Sequence, residues 1–279
     1  MTIKKLINGK GQVIPGLLDE PVEEINYLDY DLRTVMDRPR SKLARRWRFN
    51  QFQFVSAMGP GWVFGLAVVD LKLLGSGFFY LYDFETGQMM EQSFLQPLAR
   101  QTCIEPRPEE GVTRFSKGEV AVRIAPSADG RTITVSAPGG IRIELTLSED
   151  RDPLRLVCLA GQLADGRSVG LNLAAGVNET GMTENALWLD GVCHKLGAAR
   201  FRFDRYQPGG DWHVSTEDGR VDLHFVPAGV RKEKLDAWVL ASNFRQYVGS
   251  FSGTVTDEAG GKIEVKGLRG LMEDHFARW

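Results

Sequence analysis

Cysteine and histidine are scarce in this chain of 279 residues, and neither forms a motif with short spacing. The three cysteines, Cys103, Cys158 and Cys193, are odd in number and far apart, which favours reduced thiols over a disulfide framework. The four histidines include no pair at the spacing typical of metal ligands. We therefore expect neither a metal site nor a cofactor.

Long apolar runs are also missing. No stretch approaches the roughly 18 uninterrupted apolar residues of a transmembrane helix, and the lysines near the N-terminus precede no apolar run typical of a signal peptide. The formal net charge of -2 gives no global reason to expect nucleic acid or an anionic membrane as partner. These absences predict a cytoplasmic protein without nucleic acid and without integral membrane contact, and they leave the oligomeric state open.

Helical periodicity is rare, whereas alternation with a period of two recurs between glycine-containing turns. In Ile141–Leu147 the four apolar side chains share one face and the polar ones share the other. Trp47–Ser56 also alternates, with Asn50, Phe52 and Phe54 on one face. Only Arg231–Leu240 reads as one or two helical turns or a loop. The pattern predicts an all-β sandwich or barrel.

Two changes of composition divide the chain. Residues 1–40 are broken by glycine and proline and read as an irregular lead-in, and a fully polar stretch ends at Pro153. We predict one β domain over residues 41–152 and a second over residues 153–279. A weak echo between Gly61–Leu66 and Gly166–Leu171 also favours two related halves.

Arg38–Arg48 contains six basic residues and no acid. One interpretation is a solvated segment before a strand. The other is a site for a phosphate or carboxylate headgroup, because clustered guanidinium groups bind such anions in bidentate fashion.

Polar residues gather at Asn178–Asn185, just before the apolar strand that contains Trp188. Glu179 and Glu184 either cap a turn and pair with surface arginines or act in proton transfer. A carboxyl beside apolar surface has a raised pKa and is suited to general acid–base catalysis. In that second interpretation Asn185 orients substrate or water.

The C-terminal stretch Glu273–Trp279 is the second concentration, with Glu273, Asp274 and His275 in succession. These residues either form a surface ion-pair cluster, or His275 and one of the acids form an acid–base pair at the mouth of a pocket.

Several stretches together resemble the bacterial DUF2804 family from about residue 40 to the end. They are Trp47–Asn50, Glu184–Gly191 with His194–Gly197, Val221–Pro227 and Glu273–Trp279. More distantly, the chain is similar to the AttH/CrtC-like group, which includes carotenoid hydratases. That similarity implies two tandem lipocalin-like β-barrel or sandwich domains, a hydrophobic ligand, and acid-catalysed addition to, or cyclisation across, a carbon–carbon double bond.

We therefore predict that the protein binds a hydrophobic or amphipathic small molecule of fatty acyl or isoprenoid type. If it is an enzyme, it acts as a hydratase, cyclase or isomerase, with Glu184 and His275 transferring protons and with Glu179 and Asp274 orienting them. The alternatives are a lipid carrier without catalysis and a β module that docks another protein. The residues expected to contact the ligand are Asn185, Trp188, Asn50, Phe52, Phe54, Trp62 and Glu273.

Overall fold

The computed structural model describes residues 4–14, 22–128, 130–148, 159–175, 184–207, 209–237 and 240–278. The protein is an all-β protein, as the sequence predicted. The chain divides into two compact units. The first comprises Met1–Ala57, Gly65–Tyr80 and Glu91–Leu154, and the second comprises Met58–Phe64, Leu81–Met90 and Arg155–Trp279. The boundary predicted at Pro153 lies outside the described residues.

The lead-in contains isolated β-bridges and a short 3-10 helix, Tyr27–Asp29, before the α-helix α1, Lys42–Arg48. The sequence prediction of a strand over Trp47–Ser56 is confirmed only from Gln51, because Trp47 belongs to this helix. The side chain of Ser41 accepts a hydrogen bond from the backbone N–H of Ala44 and so caps α1, which consists mostly of good helix formers.

Two antiparallel sheets are built from the first nine strands. The four-stranded sheet runs in the order β1 (Gln51–Met58), β2 (Trp62–Asp70), β3 (Leu74–Asp83) and β4 (Met89–Pro97). The five-stranded sheet runs in the order β5 (Thr102–Cys103), β6 (Thr113–Lys117), β7 (Val120–Ser127), β8 (Gly130–Ala137) and β9 (Ile141–Ser148). Burial alternates along β8, which is why its sequence shows the period of two.

The third sheet has nine antiparallel strands and lies in the second unit. The outer strands are short: β10 (Leu159–Gln162), β11 (Ser168–Asn172), β12 (Ala186–Leu189), β13 (Val192–Lys195), β14 (Ala199–Arg202) and β15 (Trp212–Thr216). The central strands have 17 residues each: β16 (Val221–Ala237), β17 (Leu240–Thr256) and β18 (Lys262–Arg278). The order is β13-β12-β11-β10-β18-β17-β16-β15-β14.

The long strands correct the prediction for Arg231–Leu240, since Arg231–Ala237 continues β16 and is neither helix nor loop. Glu273–Arg278 belongs to β18. One face of this sheet carries the hydrophobic core of the second unit, to which Trp212, Tyr247, Phe251 and Met272 contribute. The opposite face carries the polar residues described below.

Within the described ranges, each of the three sheets has two distinct edge strands, and none closes into a barrel. No helix in the described part of the chain is long and apolar enough to cross a membrane.

Candidate acid–base site

Strand pairing places several polar side chains in adjacent rows on one face of β16–β18. In the first row Arg231 pairs with Gln246, which pairs with Glu273. Because paired residues of antiparallel strands point to the same face, these side chains are neighbours. The next row contains Glu233, Phe244 and His275. This face lies opposite the hydrophobic core, since the alternate residue Met272 belongs to that core.

His275 lies between a hydroxyl and a carboxyl group. Its Nε2 is 3.0 Å from the Oγ of Ser242, and its Nδ1 is 3.6 Å from the Oε1 of Glu273. The Nε2 of Gln246 donates a hydrogen bond of 3.3 Å to the Oε2 of Glu273. We call these four residues, Ser242, Gln246, Glu273 and His275, the acid–base cluster. The arrangement connects a carboxyl group to a hydroxyl group through an imidazole ring.

The carboxyl group of Glu273 has a pKa raised to about 7. Desolvation by the surrounding protein is the largest cause, the negative charge of Asp274 adds to it, and the hydrogen bond from Gln246 opposes it. The side chain still exposes 44% of its surface, so the carboxyl is crowded by protein and also open to solvent. Near neutral pH a substantial fraction of Glu273 therefore carries a proton that it can donate.

Desolvation lowers the pKa of His275 below its usual value of 6.5, although the nearby negative charges of Asp274 and Glu233 oppose this shift. The neutral imidazole is therefore the main form at neutral pH. Phe244 contacts the ring edge to face, with 5.2 Å between ring centroids. An acid that holds its proton stands beside a base that lacks one, which is the combination that general acid–base catalysis requires.

Asp274 points to the opposite face, because successive residues of a strand alternate. The carboxylate of Asp274 is buried and receives two hydrogen bonds from the guanidinium of Arg205, and Arg245 lies 3.5 Å away. Arg245 also donates to the backbone carbonyl of Arg205. Asp274 thus holds the segment around Arg205 on the sheet and influences the cluster only through its charge.

Aromatic residues of the second unit cover the rows beside the acid–base cluster on the same face. The hydroxyl of Tyr82 donates a hydrogen bond of 2.8 Å to the carbonyl of Ala228, and its ring lies against Gly229. The guanidinium of Arg269 lies over the ring of Phe84 at 3.9 Å. The row of paired residues that contains Gly229 lies against Tyr82, and the next row on this face contains Gln246 and Glu273 of the acid–base cluster.

Glu184 lies at the same end of the nine-stranded sheet as the cluster, but it does not pair with His275. One row of paired residues crosses β18, β10, β11 and β12: Gly270, Leu159, Leu171 and Leu187. Glu273 and Glu184 each lie three residues from that row, toward the same end. Three strand steps of about 4.8 Å place Glu184 about 14 Å from Glu273. His275 lies two residues further along β18, so a proton can pass between Glu184 and His275 only through an intermediary.

Asn185 is fully buried, and the backbone occupies its amide. Its Oδ1 accepts a hydrogen bond of 2.7 Å from the N–H of Ala174, and its Nδ2 donates one of 2.9 Å to the carbonyl of Gly197. The amide therefore joins two connecting segments. Glu179 lies outside the described residues.

The residues predicted to line a cavity are distributed over both units. Asn50, Phe52 and Phe54 belong to the first unit, and Trp62 and Trp188 belong to the second. Phe52 is exposed, whereas Asn50, Phe54, Trp62 and Trp188 are half-buried. Trp62 lies against Gly59, and Trp188 pairs with Gly170. Of the predicted site residues that the structure describes, only Glu273 and His275 are brought together in the acid–base cluster.

Sequence reasoning did not identify Ser242 or Gln246. The period of two along the strand could have placed Glu273 and His275 on one face. No local pattern, however, identifies Ser242 and Gln246 as their partners on β17. Among the described residues, no group of three or more histidine, cysteine, aspartate or glutamate side chains is placed to hold a metal ion.

Comparison with known proteins yields one family. The family model described as "Domain of unknown function (DUF2804)" matches residues 2–160 and 154–279, which together span nearly the whole chain. Neither the curated proteins nor the solved structures include a significant match.

Proposed function

Since the chain belongs to the DUF2804 family, whose description names no activity, we propose a function from its own residues. The protein binds an amphipathic small molecule with a fatty acyl or isoprenoid chain and modifies it by proton transfer. The similarity to the AttH/CrtC-like group, the lipocalin-like character of the two units and a cytoplasmic location are parts of this proposal. The observation that carries it is the placement of Glu273 beside His275.

In the proposed reaction Glu273 donates its proton to a carbon–carbon double bond, which leaves a carbocation and the carboxylate. Water adds to the cation and releases a proton to His275, directly or through Ser242, which lies 3.0 Å from Nε2. The Nδ1 proton then passes to Glu273 across the 3.6 Å separation, and exchange of the ring protons with water returns His275 to its starting tautomer. The net change is the addition of one water molecule. If a neighbouring carbon of the cation loses a proton to His275 instead, the double bond is isomerised.

The raised pKa of Glu273 supports the acid role, because an acid works best when its pKa is near the working pH. The aromatic cover by Tyr82 and Phe84 supports an apolar ligand beside the cluster. Glu273 replaces Glu184 as the proposed proton donor. Glu184 is then a second carboxylate at the same end of the nine-stranded sheet, without a direct part in the proton transfer.

The proposal is tested in two steps. Native mass spectrometry of freshly purified protein, followed by denaturing extraction, identifies any bound small molecule. The protein is then incubated in D₂O with that molecule, or with a panel of monounsaturated fatty acids and isoprenoid alcohols, and the carbon-bound deuterium is measured. We expect Glu273→Gln to reduce incorporation by at least about 100-fold. Glu264→Gln, which alters an exposed acid of the same strand, should leave it unchanged.

Other outcomes separate the alternatives. A bound lipid without deuterium incorporation would identify a carrier and refute the catalytic half of the proposal. Protein without ligand that associates as its concentration rises would favour a module that docks protein.

A further inference from the structure

The first unit exposes apolar and basic side chains, close together in the sequence, that the proposed function does not use. We define this surface as the basic–apolar patch: Val35, Met36, Arg38, Lys42, Leu43, Arg46, Trp47 and Arg48. We propose that the patch docks the protein on a lipid bilayer that carries anionic headgroups. The apolar side chains enter the boundary between headgroups and acyl chains, and the basic side chains contact the headgroups.

Helix α1 turns one face toward the protein and the other toward solvent. Arg45 fixes the inner face, because its guanidinium donates to the backbone carbonyls of Leu28 and Arg40. At about 100° per residue, Leu43 and Trp47 each point about 160° away from Arg45. They are accordingly 67% and 52% exposed.

The turn before α1 presents two more apolar side chains. Val35 is 99% exposed, and Met36 is largely exposed. The turn itself is well ordered, since the hydroxyl oxygen of Thr34 accepts hydrogen bonds from the N–H groups of Met36 and Arg38. These local hydrogen bonds keep Val35 and Met36 in solvent, although the exposure of apolar surface to water is unfavourable.

The basic side chains flank the apolar ones. By the same rotation of about 100° per residue, Arg46 points about 80° away from the Leu43–Trp47 ridge. Lys42 and Arg48 point about 120° away from the ridge, on opposite sides of it. Within the described part of the chain, no carboxylate lies within ion-pair distance of Arg38 or these three residues. Since the chain as a whole has a net charge of -2, the positive charge is a local feature.

An anionic bilayer fits both components of the patch. A helix with basic residues beside tryptophan and leucine is typical of segments that lie in the membrane interface. Each basic residue near an anionic surface strengthens binding, and the effect is screened by salt. Nucleic acid would use the basic residues but offers little to Val35, Met36 and Leu43.

The test is flotation of the full-length protein with vesicles. We expect binding to vesicles of phosphatidylcholine with about 30% phosphatidylserine, weaker binding in about 0.5 M salt, and little binding to pure phosphatidylcholine. The double variant Arg46→Gln/Arg48→Gln should weaken binding about 30-fold. Leu43→Ser/Trp47→Ser should weaken it at least about 10-fold.

Matched controls alter exposed residues outside the patch. Lys117→Gln/Arg123→Gln removes two charges from the first unit, and Val192→Ser removes an exposed apolar side chain from the second. Both should bind vesicles like the wild-type protein. Equal binding to neutral vesicles, or equal losses in the controls, would refute the proposal. Absence of vesicle binding combined with self-association that the patch variants abolish would also refute it, because the patch would then contact a second copy.

Discussion

Replacing Glu273 by glutamine tests whether the folded protein holds a protonated carboxyl group near neutral pH. The pKa of Glu273 is about 7 in the folded protein, against 4.5 for the free side chain. Between these two values the folded state binds a proton that the unfolded state has lost. The free energy of unfolding should therefore fall as the pH rises from 4.5 through 7, and it should be fully reduced above that range.

The size of this effect follows from the pKa difference and the exposure. At about 1.4 kcal/mol per pH unit, a difference from 4.5 to about 7 is worth roughly 3 kcal/mol for a group shielded from water. The side chain of Glu273 remains 44% exposed, so we expect about 1–2 kcal/mol. Glutamine has nearly the same shape and no charge, so Glu273→Gln should remove this dependence and become more stable than the wild type above pH 7.

The assay is urea unfolding of the wild type and of Glu273→Gln at closely spaced pH values between 4 and 9. The difference between their free energies of unfolding is then followed as a function of pH. The difference is needed because His275 acts in the opposite sense. Its lowered pKa makes the unfolded state bind the additional proton below pH 6.5, so its contribution to stability decreases as the pH falls. If wild type and variant keep a constant difference across the whole range, the carboxyl of Glu273 has the same pKa in the folded and unfolded states. It is then ionised at neutral pH, and the proposed acid role is wrong.

Two further predictions concern stability. Asn185→Ala should lower the free energy of unfolding by about 1–3 kcal/mol in urea denaturation, because it leaves two half-buried backbone groups without their hydrogen bonds. A loss below about 0.5 kcal/mol would mean that water replaces the amide. Asp274→Asn should cost about 3 kcal/mol by the same measurement, because the buried carboxylate holds two arginines. The control Glu264→Gln, in an exposed ion pair with Lys266, should change stability little, and equal losses in the two variants would contradict the structural role of Asp274.

Much of the fold was predictable from local patterns. The alternation in Ile141–Leu147 identified β9, because half-buried residues alternate with exposed ones over residues 141–146. The prediction failed at Trp47 and at Arg231–Ala237. In the first case the cap at Ser41 and the helix formers that follow it override an apparent alternation. In the second, pairing along the whole of β17 extends a sequence with no strong strand signal of its own.

The candidate site shows the same division. The sequence by itself determined that Glu273, Asp274 and His275 are consecutive, and in a strand this places Asp274 on the opposite face from the other two. Only the tertiary structure decided that Ser242 and Gln246, 33 and 27 residues away from their partners, complete the cluster. The physical reason is that strand register and desolvation depend on distant segments, and these set the hydrogen bonds and the raised pKa of Glu273.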